Sequence, residues 1–389
     1  MNSNVAILKV QDYGSIKIEE VVEQLFQYLP CTEMITEHTK VLLKPNLLAK
    51  HPPEHAVTTH PEVVRAVIQA CKNRGAKAEH IIVADSAGGL YNPSQMRSLY
   101  QGCGLTKVCQ EEKVSLYTAC ESQLYETIDG KVVKEFEILK PVLEADFIIN
   151  LPKMKSHVMT GMTAACKNMF GVIPGLKKSE WHMRFPDKER FGEMLIDLLE
   201  TITPNMAILD GILAMEGDGP AGGEPRNIGI LMASEDMVNM DLAIAYMMGL
   251  EPVRVPYLKA AYGRGLGGMA FDKADLLGDI EALQIIENWK LPESYQGNGN
   301  GNTDFAAILP KILQPIVKKI ERAVSPHPVI QQALCIGCGK CAEICSKDTI
   351  VIKNKKAKVI QNACIRCFCC HEMCPVKAIE VNKLSLFKL

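Results

Sequence analysis

Short apolar runs alternate with amphipathic segments along the first 250 residues of the chain. The apolar runs predict β-strands at residues 5–10, 41–43, 81–84, 114–117, 147–151, 206–209 and 228–232. The amphipathic segments predict helices at residues 18–28, 61–73, 93–101, 188–201 and 237–248. Strands and helices that alternate in this way indicate an α/β fold with a mainly parallel sheet.

The predicted helix at residues 61–73 has clear end signals. Thr59 is expected to cap it, Pro61 suits its first turn, and Gly75 is expected to end it. Apolar residues repeat at helical spacing between these ends, so this face of the helix is assigned to the core.

The cysteines are concentrated near the end of the chain. Nine of the fifteen lie between Cys335 and Cys374, and the other six, which are expected to be free or buried thiols, are scattered over the first 330 residues. Eight of the nine form two runs with the spacing C-x2-C-x2-C-x3-C, which is typical of proteins that hold two four-iron clusters. In that pattern the fourth cysteine of each run ligates the other cluster. We therefore assign one 4Fe–4S cluster to Cys335, Cys338, Cys341 and Cys374, and the other to Cys364, Cys367, Cys370 and Cys345.

The segment from Cys335 to Cys374 resembles bacterial-type two-cluster ferredoxins. It departs from them at Ser346, where proline is usual, and at Cys369, an extra cysteine interpreted as a packed thiol. The resemblance implies low-potential one-electron transfer, and a purely structural role for both clusters is the alternative. Structural zinc or a disulfide framework explains two such runs less well.

The sequence between the α/β part and the cysteine-rich part separates the chain into domains. Residues 291–304 are polar and contain the glycine- and asparagine-rich run 297–302, and an apolar helix is predicted at 305–323. The predicted organisation is a large α/β domain at 1–290, a linker and helix at 291–330, and a small α+β ferredoxin-like iron–sulfur domain at 331–389.

Ionisable residues follow several of the predicted strands. In open α/β sheets the ligand crevice lies beyond the carboxyl ends of the strands, so these residues are candidates for a site. Lysines there would stabilise an anion, and a histidine could transfer a proton. The candidate catalytic residues are His157, Lys155 and Lys153, and the candidate substrate-binding residues are Lys44, Asn46, Asp85, Ser86, Lys167, Asn168 and Asp210.

Other roles for these residues stay open. The lysines and His157 could be solvated loop charges and a structural histidine. Asp85, Asp210 and Asp218 could bind a metal, orient the lysines or cap helices. Trp181 and His182, in a polar segment, could contact a ligand or simply pack.

The same stretches carry a resemblance that covers most of the chain. The segments 44–47, 60–64, 85–86, 150–157, 167–171 and 210–211 resemble the DUF362 family, many members of which have a C-terminal ferredoxin module. The resemblance implies this architecture but no particular reaction.

The glycine-rich segments do not indicate a nucleotide site. Neither 217–223 nor 263–268 matches a phosphate-binding loop or a dinucleotide fingerprint in the right context. A flavin bound without a motif stays open.

Charge and hydropathy exclude some classes of partner. The net charge of −2 provides no basic field, so no nucleic acid is expected. No apolar run is long enough for a membrane span, and the first residues do not form a secretory signal, so a cytoplasmic location is expected.

The first functional hypothesis is an iron–sulfur oxidoreductase. It would pass electrons from its clusters to a small anionic substrate or cofactor, and a ferredoxin- or flavodoxin-like redox partner would supply them. The alternatives are an electron-transfer subunit without its own catalysis, or a cluster-based sensor or maturation protein.

Overall fold

The computed structural model describes residues 4–295 and 325–382. Its strands are β1 Val5–Lys9, β2 Val41–Pro45, β3 Ile81–Val83, β4 Ser115–Leu116, β5 Ser122–Glu126, β6 Glu135–Leu139, β7 Phe147–Leu151, β8 Lys153–His157, β9 Gly161–Thr163, β10 Met206–Glu216, β11 Glu224–Ser234, β12 Leu276–Gly278, β13 His327–Ile330, β14 Ile350–Lys353, β15 Lys356–Val359 and β16 Ile379–Asn382. The predicted run at 297–302 and the predicted helix at 305–323 lie outside the described residues.

The α-helices occupy both parts of the described chain. They are α1 Ser15–Gln27, α2 Pro61–Asn73, α3 Pro93–Gly102, α4 Leu105–Glu111, α5 Lys140–Glu144, α6 Ala165–Asn168, α7 Lys177–Arg184, α8 Lys188–Ile202, α9 Met237–Met247, α10 Pro256–Gly263, α11 Lys340–Glu343 and α12 Cys369–Glu372. Short 3₁₀ helices lie at Pro30–Met34, Pro53–His55, Ala78–His80, Met169–Val172, Pro252–Arg254, Lys273–Asp275, Ile280–Ala282 and Glu293–Tyr295.

A ten-stranded sheet organises the first part, with the main order β12-β1-β11-β10-β7-β2-β3-β4. The run from β10 to β4 is parallel, and β11 pairs antiparallel with both of its neighbours. The predicted α/β fold with a mainly parallel sheet is therefore confirmed. Each of the seven predicted strands and five predicted helices coincides with an observed element, with ends that differ by a few residues.

Helices cover both faces of this sheet. On one face, α1 to α4 pack on β2 and β3 around buried residues such as Phe26 and Val67. On the other face, α6, α8, α9 and α10 enclose a core that contains Phe191 and Leu242. The sheet therefore lies between two apolar cores, and the polar candidate residues lie at the ends of its strands.

The sheet splits at the end of β2. Pro45, the last residue of β2, lies opposite Leu151 of β7, and the chain then continues through Pro152 into β8. The long strand β10 pairs first with β7 and then with β8 on the same edge. The other edge of β8 pairs with β9 instead of β2. We call this gap between β2 and β8 the fork.

Helix α2 begins one residue away from the predicted cap. His60, not Thr59, is the N-cap, and its Nδ1 accepts a hydrogen bond from Glu62 N at 3.2 Å. Thr59 Oγ1 instead donates to the carbonyl of Leu151 at 2.6 Å, and that carbonyl also accepts from Asn46 N at 3.1 Å. Gly75 ends the helix as predicted, with φ +98°.

The second part, residues 325–382, contains two small antiparallel sheets, β13–β16 and β14–β15, together with α11 and α12. Its core includes Ile344, Ile350 and Ile379 next to several cysteines. It is a small α+β unit, and the predicted limits of the three domains stay a prediction.

No helix in residues 4–295 or 325–382 is both long and apolar enough to cross a membrane.

Candidate functional site

A cavity of about 80 Å³ lies at the fork, beyond the carboxyl ends of β2 and β3. The predicted site residues that line it are Asn46, Asp85, Ser86, Lys155, His157, Lys167 and Asn168. Its opposite wall is formed by Ile344, Cys369, Glu372 and Met373 of the cysteine-rich part. We call it the inner cavity. The other three predicted residues, Lys44, Lys153 and Asp210, are fully buried beside it and do not line it.

Lys153 belongs to a closed network below the cavity. Its Nζ lies 2.7 Å from Asp210 Oδ2 and donates to Tyr13 Oη at 2.9 Å. Tyr13 donates in turn to Asp210 Oδ1 at 2.8 Å and accepts from Leu213 N, where β10 is irregular. His60 N donates to the same carboxylate at 2.9 Å. Burial lowers the pKa of Lys153, and the Asp210 charge opposes that shift. This lysine is held by its partners and is not presented to a ligand.

Lys44 forms a second buried pair. Its Nζ lies 3.1 Å from Asp85 Oδ2, and Leu47 N donates to the same oxygen at 3.0 Å. A Cβ on Gly171 would stand 2.1 Å from Asp85 Oδ1 and 2.5 Å from Lys44 Nζ, so only glycine fits against this pair. Asp85 and Asp210 thus orient lysines, one of the roles that the sequence left open, whereas Asp218 Oδ1 accepts from Glu293 N at 2.8 Å.

Lys155 has no carboxylate partner within ion-pair distance in the described residues. Its Nζ donates to Asn46 Oδ1 at 2.7 Å and to the Val57 carbonyl at 2.8 Å. Burial, and then the nearby Lys167 charge, lower the pKa of Lys155 to about 7. The amine can therefore gain a proton near neutral pH when an anion arrives, because an anion favours the charged form.

A chain of amide side chains fixes Asn46 behind Lys155. Asn46 Nδ2 donates to Asn168 Oδ1 at 2.8 Å, and Asn168 Nδ2 donates to Asn150 Oδ1 at 2.8 Å. Asn150 Nδ2 ends the chain on the Ala165 carbonyl at 2.8 Å. Asn150 is buried and comes from β7, so β2, β7 and α6 hold one another through this chain and orient the Lys155 amine.

His157 faces the cavity as a neutral hydrogen-bond donor. Its Nδ1 accepts from Met159 N at 3.0 Å and from Thr160 N at 3.4 Å, so the ring proton of the neutral form is on Nε2. Burial and the charge of Lys167 hold the pKa of His157 well below its usual range. Nε2 lies 3.3 Å from Glu372 Oε1 without the alignment of a hydrogen bond. The imidazole is suited to donate from Nε2 and unsuited to carry a charge at neutral pH.

Lys167 extends towards the cavity from α6. Its Nζ lies 5.7 Å from the centre of the Phe170 ring, and the side chain is half-buried. No hydrogen bond or ion pair of this Nζ occurs within the described part of the chain. Its pKa is lowered by burial, and Glu372 opposes that shift.

The sequence analysis missed three polar residues that line the cavity, Thr163, Lys178 and Glu372, and His182, for which it left ligand contact or packing open, lines the cavity too. Lys178 Nζ donates to the carbonyls of Ser86 at 2.7 Å and Ile173 at 2.6 Å, which ties α7 to the loop after β3. His182 stacks on Phe191 with ring centres 4.4 Å apart. Trp181 packs against Phe136, away from the cavity. These residues come from distant segments, and only the local polar character of α7 indicated them.

Several polar atoms at the cavity lack partners. Buried polar atoms in folded proteins nearly always form a hydrogen bond, so each exception needs an explanation. Four buried side-chain atoms of lining residues have none in the described structure: His157 Nε2, Thr163 Oγ1, His182 Nδ1 and Glu372 Oε1. Such a concentration around one cavity indicates a place for a ligand.

The two cysteine runs repeat one backbone geometry. In the first run Gly337 and Gly339 have positive φ, and in the second run Arg366 and Phe368 at the matching positions do too, at 60° and 63°. Left-handed residues of this kind turn successive N–H groups inward and form anion-binding concavities that occur at iron–sulfur sites. The cost to Arg366 and Phe368, about 1–2 kcal/mol each, must be offset by what the loop binds or packs against.

The thiols are also placed in keeping with cluster binding. Backbone N–H groups donate to the sulfurs of Cys335, Cys345, Cys364 and Cys374 at 3.2–3.4 Å. Cys335, Cys338, Cys341 and Cys374 line one small cavity, which is the set assigned to one cluster from the spacing. No three His, Cys, Asp or Glu residues of the described chain are grouped for a single metal ion.

The glycine-rich loop 217–223 joins β10 to β11 and holds the cysteine-rich part in place. Ser156 Oγ donates to the Gly217 carbonyl at 2.6 Å, and Lys377 Nζ donates to the Gly223 carbonyl at 3.0 Å. A Cβ on Gly222 would lie 2.6 Å from the His371 ring, so glycine permits this close approach. The loop forms an interface that closes the inner cavity.

Comparisons with known proteins agree with the family resemblance. The family described as "Domain of unknown function (DUF362)" matches residues 41–246. Thylakoid-associated protein sll1697 of Synechocystis is 34% identical over 295 residues, which cover 75% of this chain and 89% of that protein. A ferredoxin of Pyrobaculum islandicum is 40% identical over 61 residues, 15% of this chain and 57% of the ferredoxin.

Two of the partial matches among solved structures have low TM-scores. The lactate racemase apoprotein of Thermoanaerobacterium thermosaccharolyticum has a TM-score of 0.39 at 11% identity, over 64% of this chain and 57% of that one. A protein from Thermotoga maritima has a TM-score of 0.35 at 15% identity, over 56% and 55% of the two chains.

Proposed function

Because this chain belongs to the DUF362 family, whose description assigns no activity, we propose its function from the chemistry of the inner cavity. The protein is an iron–sulfur oxidoreductase that passes electrons from two 4Fe–4S clusters to a small anionic substrate. Cys335, Cys338, Cys341 and Cys374 would hold one cluster, and Cys364, Cys367, Cys370 and Cys345 the other. When bound, such clusters supply one-electron transfer.

The shared wall of the inner cavity carries this proposal. Lys155, His157 and Lys167 line one side, and Cys369 and Glu372 line the other. Cys369 and Glu372 flank the predicted ligand Cys370 in α12. A substrate in the cavity would touch the binding residues and the cysteine-rich part together, which is the arrangement that short-range electron transfer needs.

The chain's own residues have separable roles in this proposal. Lys167 and Lys155 bind the anionic group, since buried cations stabilise negative charge far more than exposed ones do. His157 donates a hydrogen bond from Nε2, and Asn46 positions the Lys155 amine. The cavity has a volume of about 80 Å³, which suits a small substrate.

The first cysteine run supports a role for a separate redox partner. Cys338 is exposed, and Leu334 and Ile336 nearby are 53% and 60% exposed, so apolar surface surrounds this run. The second run faces the inner cavity. A ferredoxin- or flavodoxin-like partner would dock at the first run, and electrons would leave through the second.

A cytoplasmic location is part of the proposal. None of the fifteen cysteines forms a disulfide, which suits a reducing compartment. The printed name of the Synechocystis relative associates that protein with thylakoids, so contact with a membrane surface is the alternative.

The test is reoxidation of the reduced protein by small anions. The full chain is reconstituted without oxygen and reduced, and small carboxylates and oxyanions are screened for reoxidation by visible absorption and electron paramagnetic resonance. With an active anion, Lys167→Met should slow the reaction about tenfold to a hundredfold, because a charge-assisted hydrogen bond is lost. Lys107→Met, on the exposed face of α4, is the matched control and should not change the rate.

The alternatives give different results in the same assay. Fast transfer to a partner protein, with no small anion active and no effect of Lys167→Met, would make the protein an electron-transfer subunit. Cys369→Ala should keep both cluster signals and Cys370→Ala should lose one. The opposite pattern would contradict the ligand assignment.

A further inference from the structure

The unpartnered atoms around the inner cavity differ in their hydrogen-bonding role. His157 Nε2 carries a proton and can only donate in the neutral form. Lys167 Nζ can only donate. Glu372 Oε1, in contrast, is an acceptor on a carboxylate that is 13% exposed, and it has no hydrogen-bond partner. The cavity thus presents both donors and an acceptor, and the acceptor lies 3.3 Å from the donor Nε2 of His157.

An anion without a hydrogen-bond donor would provide partners for the donors of this cavity but not for its acceptor. It would accept from Lys167 and His157, but it would also lie against Glu372, whose Oε1 is 3.3 Å from the Nε2 atom that such an anion would contact. Two negative groups at such a short distance in a buried space repel each other strongly. A ligand that places a hydrogen-bond donor towards Glu372 removes the repulsion and satisfies the carboxylate.

We infer that the ligand of the inner cavity is a small carboxylate with a hydroxyl or ammonium group on the neighbouring carbon. The inference deepens the proposed function and rests on it. The carboxylate meets Lys167 and His157, and the donor meets Glu372. Thr163 Oγ1 and His182 Nδ1, which are 4% and 3% exposed, are further partners that can donate or accept.

The internal duplication of the cysteine runs provides a matched control. Glu343 and Glu372 both lie two residues after the third cysteine of their run. Glu372 lines the inner cavity, whereas Glu343 is exposed and lines a separate outer cavity between Lys50 and α11. Replacing either residue by Met makes the same change at the same distance from the cysteines, but only Glu372→Met changes the inner cavity.

The experiment measures binding and not turnover. Isothermal titration of the reconstituted full chain compares acetate, glycolate and glycine, which differ only in the group on the second carbon. Glycolate or glycine should bind at least about tenfold more tightly than acetate, because a hydrogen bond to a charged group is gained. The one that binds more tightly identifies the donor as hydroxyl or ammonium. Cluster absorption of each variant is recorded first, to confirm that the cysteine-rich part is intact.

The variants separate this inference from the proposed function. Glu372→Met should remove the preference for glycolate or glycine while acetate binding is kept or improved, and Glu343→Met should leave the preference unchanged. The inference is wrong if the unaltered protein binds all three anions with equal affinity, or if the preference is still present in Glu372→Met. In either case the proposal of an anion site is still supported. If none of the three binds, both the inference and the anion site are wrong.

Discussion

The buried lysines beside the fork divide into two regions of opposite character. Below the cavity, Lys153 and Lys44 each lie within 3.1 Å of an aspartate oxygen. At the cavity, Lys155 and Lys167 have no carboxylate within ion-pair distance in the described residues. In the sequence, Lys44, Lys153 and Lys155 lie at or just after predicted strand ends and Lys167 lies further on in a helical segment, and nothing local separates the paired lysines from the others. Their difference shows that a buried lysine with a carboxylate partner is part of the architecture, whereas one without such a partner is available to a ligand.

The largest expected effect is on the paired region. Asp210→Asn keeps an acceptor for His60 N but leaves Lys153 as a buried charge without its counter-charge. Breaking one side of a buried ion pair typically costs about 3–5 kcal/mol, so the free energy of unfolding in urea should fall by that amount.

The control for this prediction removes both charges. Lys153→Met combined with Asp210→Asn should recover a large part of the lost stability, because no unpaired charge is left. A loss below about 1 kcal/mol in Asp210→Asn alone would show that Lys153 is not held by this carboxylate, and the division into two regions would fail.

The second prediction concerns the cavity region. Lys167→Met removes a cation that forms no ion pair in the described structure, so stability in urea should stay the same or rise. Affinity for the tightest small carboxylate, measured by titration, should fall about tenfold to a hundredfold. A stability loss as large as that of Asp210→Asn would place Lys167 with the paired lysines.

The third prediction is a dependence of stability on pH. Burial lowers the pKa of Lys155 to about 7 in the folded state, while an unfolded lysine titrates near 10.4. Between these values the unfolded chain binds more protons, so stability should rise with pH by up to about 1.4 kcal/mol per pH unit from this group. Lys178, with a pKa lowered to about 7 by burial, acts in the same direction.

The slope is measured by urea unfolding at several pH values between about 7 and 10. Lys155→Met should reduce it, and Lys107→Met should not. Binding of an anion should show the opposite trend and weaken as pH rises above about 7, because the charged amine is then lost. A slope that Lys155→Met does not change would mean that this amine stays charged.

The smallest expected effect is that of Thr163→Val. The Thr163 hydroxyl is buried without a hydrogen-bond partner, so its loss should change stability by less than about 1 kcal/mol and leave the fold intact. Carboxylate affinity should fall only slightly if Thr163 contacts the ligand. A large loss of stability would mean that the hydroxyl has a structural partner.

Local patterns were sufficient to predict most of the fold. The apolar runs at 41–43 and 147–151 and the end signals of α2 act over a few residues, and the structure agrees with them. The exception at the start of α2 is instructive. The Thr59 hydroxyl does not cap the helix, because it donates a hydrogen bond to the carbonyl of Leu151, 92 residues further along the chain. Nothing near Thr59 in the sequence indicates that contact.

The candidate site was predictable only in part. Lys153 and Lys155 follow β7 only two residues apart, but the Tyr13 and Asp210 partners that distinguish Lys153 are 140 and 57 residues away. Glu372 and Cys369 reach the cavity because the cysteine-rich part docks on the loop 217–223. Their position depends on glycine at 222 and on contacts between segments that are distant in sequence, which no local pattern reveals.

The fork limits how far this site can be altered by mutation. Near the point where β2 and β8 separate, Lys155 Nζ donates to the Val57 carbonyl at 2.8 Å, and Thr59 Oγ1 donates to the Leu151 carbonyl, which also accepts from Asn46 N at 3.1 Å. The polar lining therefore supports the backbone as well as the ligand. A redesign, or a diverging relative, could change which anion is bound by altering Lys167 or Glu372. Replacing Lys155 by an apolar residue, in contrast, would also remove a hydrogen-bond donor from the Val57 carbonyl.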